Sequence, residues 1–486
     1  MYRRHFYIGG EWAQPQSDER FRVISPSTEE IVGEIPIATT GDSDRAVAAA
    51  RAAFDDGPWP RMAPAERAEV LTRIAELLSE RDAELTSVTV DEMGCAVSTA
   101  SPTGMAVSVL NYYASLARTF EFERHVVDGD RHGIVLSEPV GVVGAIIPWN
   151  APVTLAVWKM APALAAGCAV VLKPPPEAPL SNYILAEVLD EAGVPPGVVN
   201  LLPGGREVGE YLVTHHDTDK IAFTGSTAAG KRIMSLCSDH VKRVSLELGG
   251  KSAGIVLDDA DTATVIPTLV AVAMRRSGQV CGSQTRILVP RSRYGEMLDA
   301  AAAAAAAAKV GDPHDPTTLI GPLVSERQRD RVEGYIKLAV EEGATIVAGG
   351  SRPSQLTKGW YVSPTILSEV ENSMRVAREE IFGPVLCFIP YENDDDAIRL
   401  ANDSSYGLAG GVWTANEARG LQVARKLRTG NVAINLNAPP FPLVPFGGFK
   451  ESGLGRELGP EGLIAFLETC SIGISASIAA EGVTGL

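Results

Sequence analysis

A chain of 486 residues exceeds what one hydrophobic core supports, so two large domains, with or without an appendage, are expected. Its 43 basic against 60 acidic residues leave a net charge of −17, which disfavours nucleic acid or an anionic membrane surface as partner, and an apolar content of 45% describes an ordinary globular protein. The six cysteines, Cys95, Cys168, Cys237, Cys281, Cys387 and Cys470, include no Cys-x-x-Cys pair, and the seven histidines offer one adjacent pair, His215-His216, without helical ligand spacing. Neither a disulfide framework nor a metal site is expected. Residues 1–6 carry basic groups with no apolar signal-peptide core behind them, and no apolar run reaches the ~18 residues of a membrane span. A cytoplasmic protein that does not enter membranes is expected.

Residues 7–36 carry Gly, Trp, Ser and Pro punctuation and read as short strands and turns. From Asp42 onward, Ser43, Ala46, Val47, Ala50, Ala53 and Phe54 recur at helical spacing, and 64–85 and 105–120 continue helically. After a charged, turn-rich piece at 121–131, apolar runs at 142–147, 169–172, 198–202, 221–223 and 244–248 alternate with amphipathic stretches at 155–166, 181–192, 206–214 and 228–237. Five strands separated by four helices predict a doubly wound parallel sheet, the architecture that binds dinucleotides at its carboxyl edge. Beyond Cys281, helices at 294–309 and 327–342 and strands at 345–347, 385–389, 409–412 and 431–435 predict a second α/β region. The alanine run at 300–308 reads as helix, since alanine is the best helix former.

Within this frame a few stretches carry chemistry. Cys281 sits in Ser277-Gly278-Gln279-Val280-Cys281-Gly282-Ser283, backbone that bends and approaches a ligand closely, which fits a nucleophile as well as an inert thiol. In Val244-Ser245-Leu246-Glu247-Leu248 the leucines share one face, leaving Glu247 on the other near the strand terminus before Gly249-Gly250-Lys251. Such a carboxylate is either a surface group or, partly buried in a cleft, a general base. Ile146-Ile147-Pro148-Trp149-Asn150 presents an asparagine amide on a stiffened turn, suited to an oxyanion. Phe223-Thr224-Gly225-Ser226 opens a helix whose N–H groups suit a phosphate, although the spacing is not Gly-x-Gly-x-x-Gly. Glu380-Ile381-Phe382-Gly383-Pro384 sets a carboxylate and an aromatic before a strand.

In this order and at these separations, the residues resemble the NAD(P)-dependent aldehyde dehydrogenase superfamily, from Tyr7-Ile8-Gly9-Gly10-Glu11-Trp12 to Pro445-Phe446-Gly447-Gly448-Phe449-Lys450-Glu451-Ser452-Gly453. The resemblance implies two doubly wound parallel α/β domains plus a small β oligomerisation arm. A Rossmann-like cofactor domain takes 1–120 and 140–249, a catalytic domain 250–452, and the arm 121–139 and 453–486. It implies oxidation of a small-molecule aldehyde: Cys281 attacks the carbonyl, Asn150 and the Cys281 N–H hold the oxyanion, hydride leaves for NAD, and Glu247 activates water to hydrolyse the thioester. A relative that passes the thioester to coenzyme A, and a silent scaffold of the same fold, are the alternatives; Glu247 favours hydrolysis.

By the same resemblance Ile146, Pro148 and Trp149 line the adenosine side, Lys173 and Gly209 belong to the cofactor site, Gly225 and Ser226 take the phosphates, and Glu380, Phe382 and the Leu248 carbonyl face the nicotinamide and its ribose. Many relatives carry a ribose-binding glutamate where Pro174-Pro175-Pro176 stands here, with Glu177 one place late, so NAD is expected and NADP admitted. Ala151 and Thr154 are small, and Tyr112, Tyr113, Trp158, Phe441 and Phe446 are candidate walls for an apolar or aromatic aldehyde. The excursion at 121–138 and the late strand 466–474, which has no evident partner, imply a homodimer or homotetramer.

Overall fold

The five runs pair as one parallel sheet: the first four are buried throughout and need helices above and below, while Arg243–Glu247, the last in the row, starts exposed and becomes buried toward Glu247. The computed structural model describes residues 1–436 and 441–475. In the sheet the strands follow the order Val199–Leu201, Ala169–Lys173, Val142–Ile146, Lys220–Thr224, Arg243–Glu247. The chain therefore winds outward from Val142–Ile146, returns, and continues on the other side. This reversal between Val142–Ile146 and Lys220–Thr224 opens a crevice at the carboxyl ends of the strands. Phe6–Ile8 and Glu11–Ala13 extend one margin of the sheet as antiparallel strands.

The other margin corrects an expectation. Gly453–Leu454, assigned from sequence to the arm, pairs antiparallel with Leu246 and Glu247 and so belongs to the first sheet. A two-residue strand leaves no periodicity to read. The helix Gly459–Ile464 that follows packs against Pro152–Ala166, again outside the arm.

A second sheet holds Thr345–Ala348, Thr365–Ser368, Val385–Tyr391, Gln284–Pro290, Ser252–Val256, Ala409–Trp413 and Asn431–Ile434 in that order, parallel except for the first. Three of these strands, Ser252–Val256, Gln284–Pro290 and Thr365–Ser368, were not anticipated. The alanine run forms the helix Tyr294–Ala307, whose Met297, Ala301 and Ala305 are buried and pack close to Thr262–Ala273. The helix expected over 64–85 divides at Arg81 into Pro64–Glu80 and Asp82–Met93.

The excursion is a hairpin, Glu123–Asp128 and Arg131–Pro139, and its long strand pairs antiparallel with Leu467–Ile474 from Leu467↔Pro139 to Ile474↔His132. The late strand thus has a partner within its own chain. The expected arm residues 476–486 lie outside the described residues.

One buried carboxylate ties the helical layer to the first sheet. Helix Leu180–Glu191 starts after Pro179, which offers no capping side chain. Glu92, fully buried at the end of Asp82–Met93, supplies the cap: it accepts hydrogen bonds from Leu180 N–H at 2.5 Å, Ser181 N–H at 3.2 Å and the Ser181 hydroxyl at 2.5 Å. Burial raises its pKa to about 7 against the pull of these donors. Folding therefore takes up a proton at Glu92 between the ordinary carboxylate value and about 7, and the stability this contributes is lost as pH rises through that window. Glu92→Gln should flatten the fall in melting temperature between pH 5 and 8, measured by calorimetry; an unchanged slope contradicts the assignment.

Candidate active site

Four parallel strands of the first sheet stop at one edge, and each delivers a predicted group there. Val142–Ile146 leads through Ile146 and the half-buried Pro148 and Trp149 to Asn150, and Ala169–Lys173 ends on Lys173. Lys220–Thr224 runs into Gly225 and Ser226, and Arg243–Glu247 ends on Glu247.

Lys173 is buried, and its ammonium donates to the Gly204 carbonyl at 2.5 Å, one of three available donors. Burial lowers its pKa to about 8, with Glu177 opposing. Gly209 lies against the stem of Lys173: a Cβ there would stand 3.3 Å from Lys173 Cε. Glu177 pairs with Arg327 at 3.2 Å.

The Gly225 N–H, expected to face a phosphate, instead donates to the Glu247 carbonyl at 3.0 Å, because the ladder with the neighbouring strand runs one residue further. The Ser226 hydroxyl accepts from the Ala229 N–H at 3.3 Å and caps Thr227–Ser238. An anion is left the start of this helix, where first-turn N–H groups lack intrahelical acceptors.

Across the crevice, Trp149 and Phe382 meet edge to face with centroids 5.3 Å apart, Phe382 holding a left-handed φ of 62°. Glu380 accepts from the Gly250 N–H at 3.1 Å, and burial raises its pKa to about 7 against Gly250, Arg331 and Lys251. The Leu248 side chain fills the space beside Gly230, where a Cβ would approach it to 2.5 Å. The Leu248 N–H donates to the Ser452 carbonyl at 3.0 Å.

Close backbone approach brings the nucleophile loop to this edge. A Cβ on Gly278 would lie 2.1 Å from the Gly383 carbonyl, and one on Gly250 would lie 2.6 Å from the Cys281 carbonyl. Arg276, Ser277 and Gly278 are left-handed in succession, with φ of 50°, 57° and 72°. Each of the two non-glycine residues there costs roughly 1–2 kcal/mol of backbone energy. Three hydrogen bonds hold the turn: the Ser277 hydroxyl to the Gly321 carbonyl at 2.8 Å, Gln279 Nε2 to the Arg276 carbonyl at 3.0 Å, and Val324 N–H to Gln279 Oε1 at 3.1 Å.

The acid of the site is Glu247. It is 4% exposed, and neither carboxylate oxygen has a hydrogen-bond partner among the described residues. Burial first, then the charge of Glu457, raises its pKa well above the carboxylate range, while Lys159 and Arg456 pull the other way. Cys281 is half-buried; burial, then the charges of Glu380 and Glu247, push its thiol up to about 12. The charge of Glu247 thus bears on the Cys281 thiol. Asn150, buried beside them, donates from Nδ2 to the Gln279 carbonyl at 3.0 Å.

Sequence reading missed two groups. Lys159, fully buried in Pro152–Ala166, pairs with Glu457 at 2.5 Å and donates to the Thr224 hydroxyl. A lone cation in Leu155-Ala156-Val157-Trp158-Lys159-Met160-Ala161 was a usable signal, since an apolar helix does not bury a charge without a partner. Glu457 gives none, because only tertiary packing brings it there. Of the aromatic walls, Tyr113 is excluded: it is buried and its hydroxyl donates to the Gly459 carbonyl at 3.2 Å. Trp158 and Phe446 meet edge to face at 5.5 Å.

Residues 12–472 match the aldehyde dehydrogenase family. The chain belongs to that family. It is 47% identical over 466 residues to a geranial dehydrogenase of Castellaniella defragrans, covering 95% of this chain and 97% of the relative. A betaine aldehyde dehydrogenase of Amaranthus hypochondriacus is 41% identical, with 96% and 94% covered. Among solved structures, a Mycobacterium tuberculosis aldehyde dehydrogenase complexed with NAD+ superposes with a TM-score of 0.95 at 46% identity, with 97% of this chain and 98% of that chain covered. A mutant aldehyde dehydrogenase from Pseudomonas syringae, complexed with NAD+ and octanal, gives 0.94 at 43% identity, with 97% and 96% covered. No helix among the described residues is long and apolar enough to cross a membrane.

For this aldehyde dehydrogenase without ligand, the thiolate fraction of Cys281 should rise tenfold per pH unit without levelling up to pH 10. Alkylation by iodoacetamide, followed by peptide mass spectrometry, measures this; a plateau near pH 8.5 contradicts the position of the thiol.

Proposed function

We propose that the chain oxidises an aldehyde to its carboxylic acid by a thioester on Cys281, with Glu247 as general base and NAD+ as hydride acceptor. The observation that carries this reading is the orphaned Glu247 carboxylate acting on the half-exposed Cys281 thiol. A thiol held near 12 is a poor nucleophile at neutral pH until a base takes its proton. A carboxylate whose affinity for a proton is strengthened by burial is suited to that task.

As sulfur bonds to the carbonyl carbon, charge collects on oxygen. Asn150 spends one amide N–H on Gln279, so its second N–H and the Cys281 backbone N–H are the donors for that oxyanion. Collapse of the oxyanion expels hydride and leaves the thioester. After the proton taken from the thiol has left Glu247 for solvent, water attacks, giving a proton to Glu247 while the thiolate departs, recovers a proton and the acid is released. Behind Glu247, Lys159 and Glu457 form the polar group next in line for that proton. When bound, NAD+ supplies the two-electron acceptor.

The residues present fit a dinucleotide. Lys173 has two donors left over for ribose hydroxyls, and the capped start of Thr227–Ser238 suits a pyrophosphate. Glu380 has a carboxylate oxygen not engaged by Gly250, and Trp149 with Phe382 offers an aromatic wall for the nicotinamide. With Glu177 drawn to Arg327 and Pro176 in the relatives' glutamate position, charge exclusion of a 2′-phosphate is weakened.

The cofactor unit is assigned to 1–120 and 140–249 with Gly453–Leu454 added, and the catalytic unit to 250–452. For the substrate, an apolar aldehyde is favoured. Ala151 leaves room beside Asn150, Trp158 and Phe446 present ring edges, and the relatives include a geranial dehydrogenase and a structure holding octanal. A cytoplasmic homodimer or homotetramer joined through the arm is assigned, supported by six free cysteines and by Val126, Val127 and Ile472 exposed on the arm sheet.

An aldehyde panel read by NADH absorbance tests the reaction. Cys281→Ala should abolish it, whereas Glu247→Gln, observed at high pH to permit acylation, should keep a burst of one NADH per site and lose about 100-fold in steady-state kcat. A rate that requires coenzyme A would replace hydrolysis by acyl transfer.

A further inference from the structure

Three side chains of the site close a ring of hydrogen bonds. Arg276 Nη1 donates to the Asn150 carbonyl at 2.8 Å. Asn150 Nδ2 donates to the Gln279 carbonyl at 3.0 Å, and Gln279 Nε2 donates to the Arg276 carbonyl at 3.0 Å. Each member gives a side-chain N–H to the backbone of the next, so the loop after Val142–Ile146 and the loop before Cys281 are tied by charge and by geometry at once. Because the Gln279 carbonyl only accepts, the Asn150 carboxamide must turn its nitrogen, not its oxygen, toward the nucleophile loop.

Arg276 is the unusual member. Its backbone is left-handed at φ 50°, where glycine or asparagine rests with less strain than a long side chain. Its guanidinium carries the only formal charge in the ring, and a charged donor makes the stronger bond. The side chain is half-buried.

We infer that Arg276 is a positioning residue: through the Asn150 carbonyl it fixes the amide that receives the oxyanion, without touching substrate itself. This rests on Asn150 being the oxyanion donor. Removing the guanidinium frees the Asn150 loop to move relative to Cys281, and the loss falls on the hydride-transfer step rather than on cofactor binding.

Arg276→Gly and Arg276→Asn test this, since both accept the left-handed backbone and should fold with an unchanged or raised melting temperature. NADH formation in a single turnover should slow about tenfold, the loss expected when a charged hydrogen bond is removed. The Kd for NAD+, from fluorescence titration of the apoenzyme, should stay within twofold. In an Asn150→Ala background the same substitutions should change the single-turnover rate by less than twofold, because the group they position is gone. Equal losses in both backgrounds, or a wild-type rate in Arg276→Gly, would overturn the assignment of Arg276 alone. An Asn150→Ala enzyme with an unimpaired rate would overturn the oxyanion reading and this inference with it.

Discussion

Two sheets share one cleft here because backbone meets backbone where no Cβ fits. Gly278 against Gly383 and Gly250 against Cys281 come closer, backbone to backbone, than a side-chain carbon allows, while Gly249 and Gly447 leave room for the Glu380 and Glu247 carboxylates. These contacts set the distance between a base on the first sheet and a thiol on a loop leading into the second. A methyl group at Gly278 or Gly250 would press on backbone and part the loops, whereas one at Gly249 or Gly447 would displace a carboxylate.

Within that cleft, desolvation opposes charge on the groups that need it. Glu247, Glu380 and Cys281 all have their ionised forms disfavoured by burial, and the two carboxylates further raise the cost of a thiolate at Cys281. Lys159, a cation that acts on Glu247, is already paired with Glu457. Burial that raises the proton affinity of Glu247 favours its taking a proton from the thiol, whereas a permanently ionised pair would have none to exchange. The left-handed turn at Arg276 and Ser277 adds backbone strain to the same place, so local stability has been given up where the chemistry occurs.

The first sheet was legible because four of its five parallel strands are buried throughout and its helices amphipathic; all five runs fall within two residues of the observed strands. Ser252–Val256 was hidden because Gly249-Gly250 reads as the end of a strand, not a gap between two. Gln284–Pro290 was hidden because Gln284 and Arg286 break its apolar pattern, although both are buried with backbone or side-chain partners. Local composition located Cys281, Glu247 and Asn150. It could not show that the Gly225 N–H is spent on a neighbouring strand, that Glu457 joins Lys159, or that Leu467–Ile474 pairs with a hairpin strand more than 300 residues before it, since each depends on residues distant in sequence.

The two-residue strand Gly453–Leu454 has a consequence for how the protein is made. It closes the free edge beside Glu247, more than 200 positions after the strand it completes. As the ribosome releases the chain from its amino end, the nucleotide-binding half emerges early yet keeps one ladder open until almost all of the protein has been synthesised. The edge beside Glu247 is thereby completed only with the arrival of the carboxyl-terminal segment, and a product truncated shortly before it would carry Cys281 without a finished wall around that carboxylate.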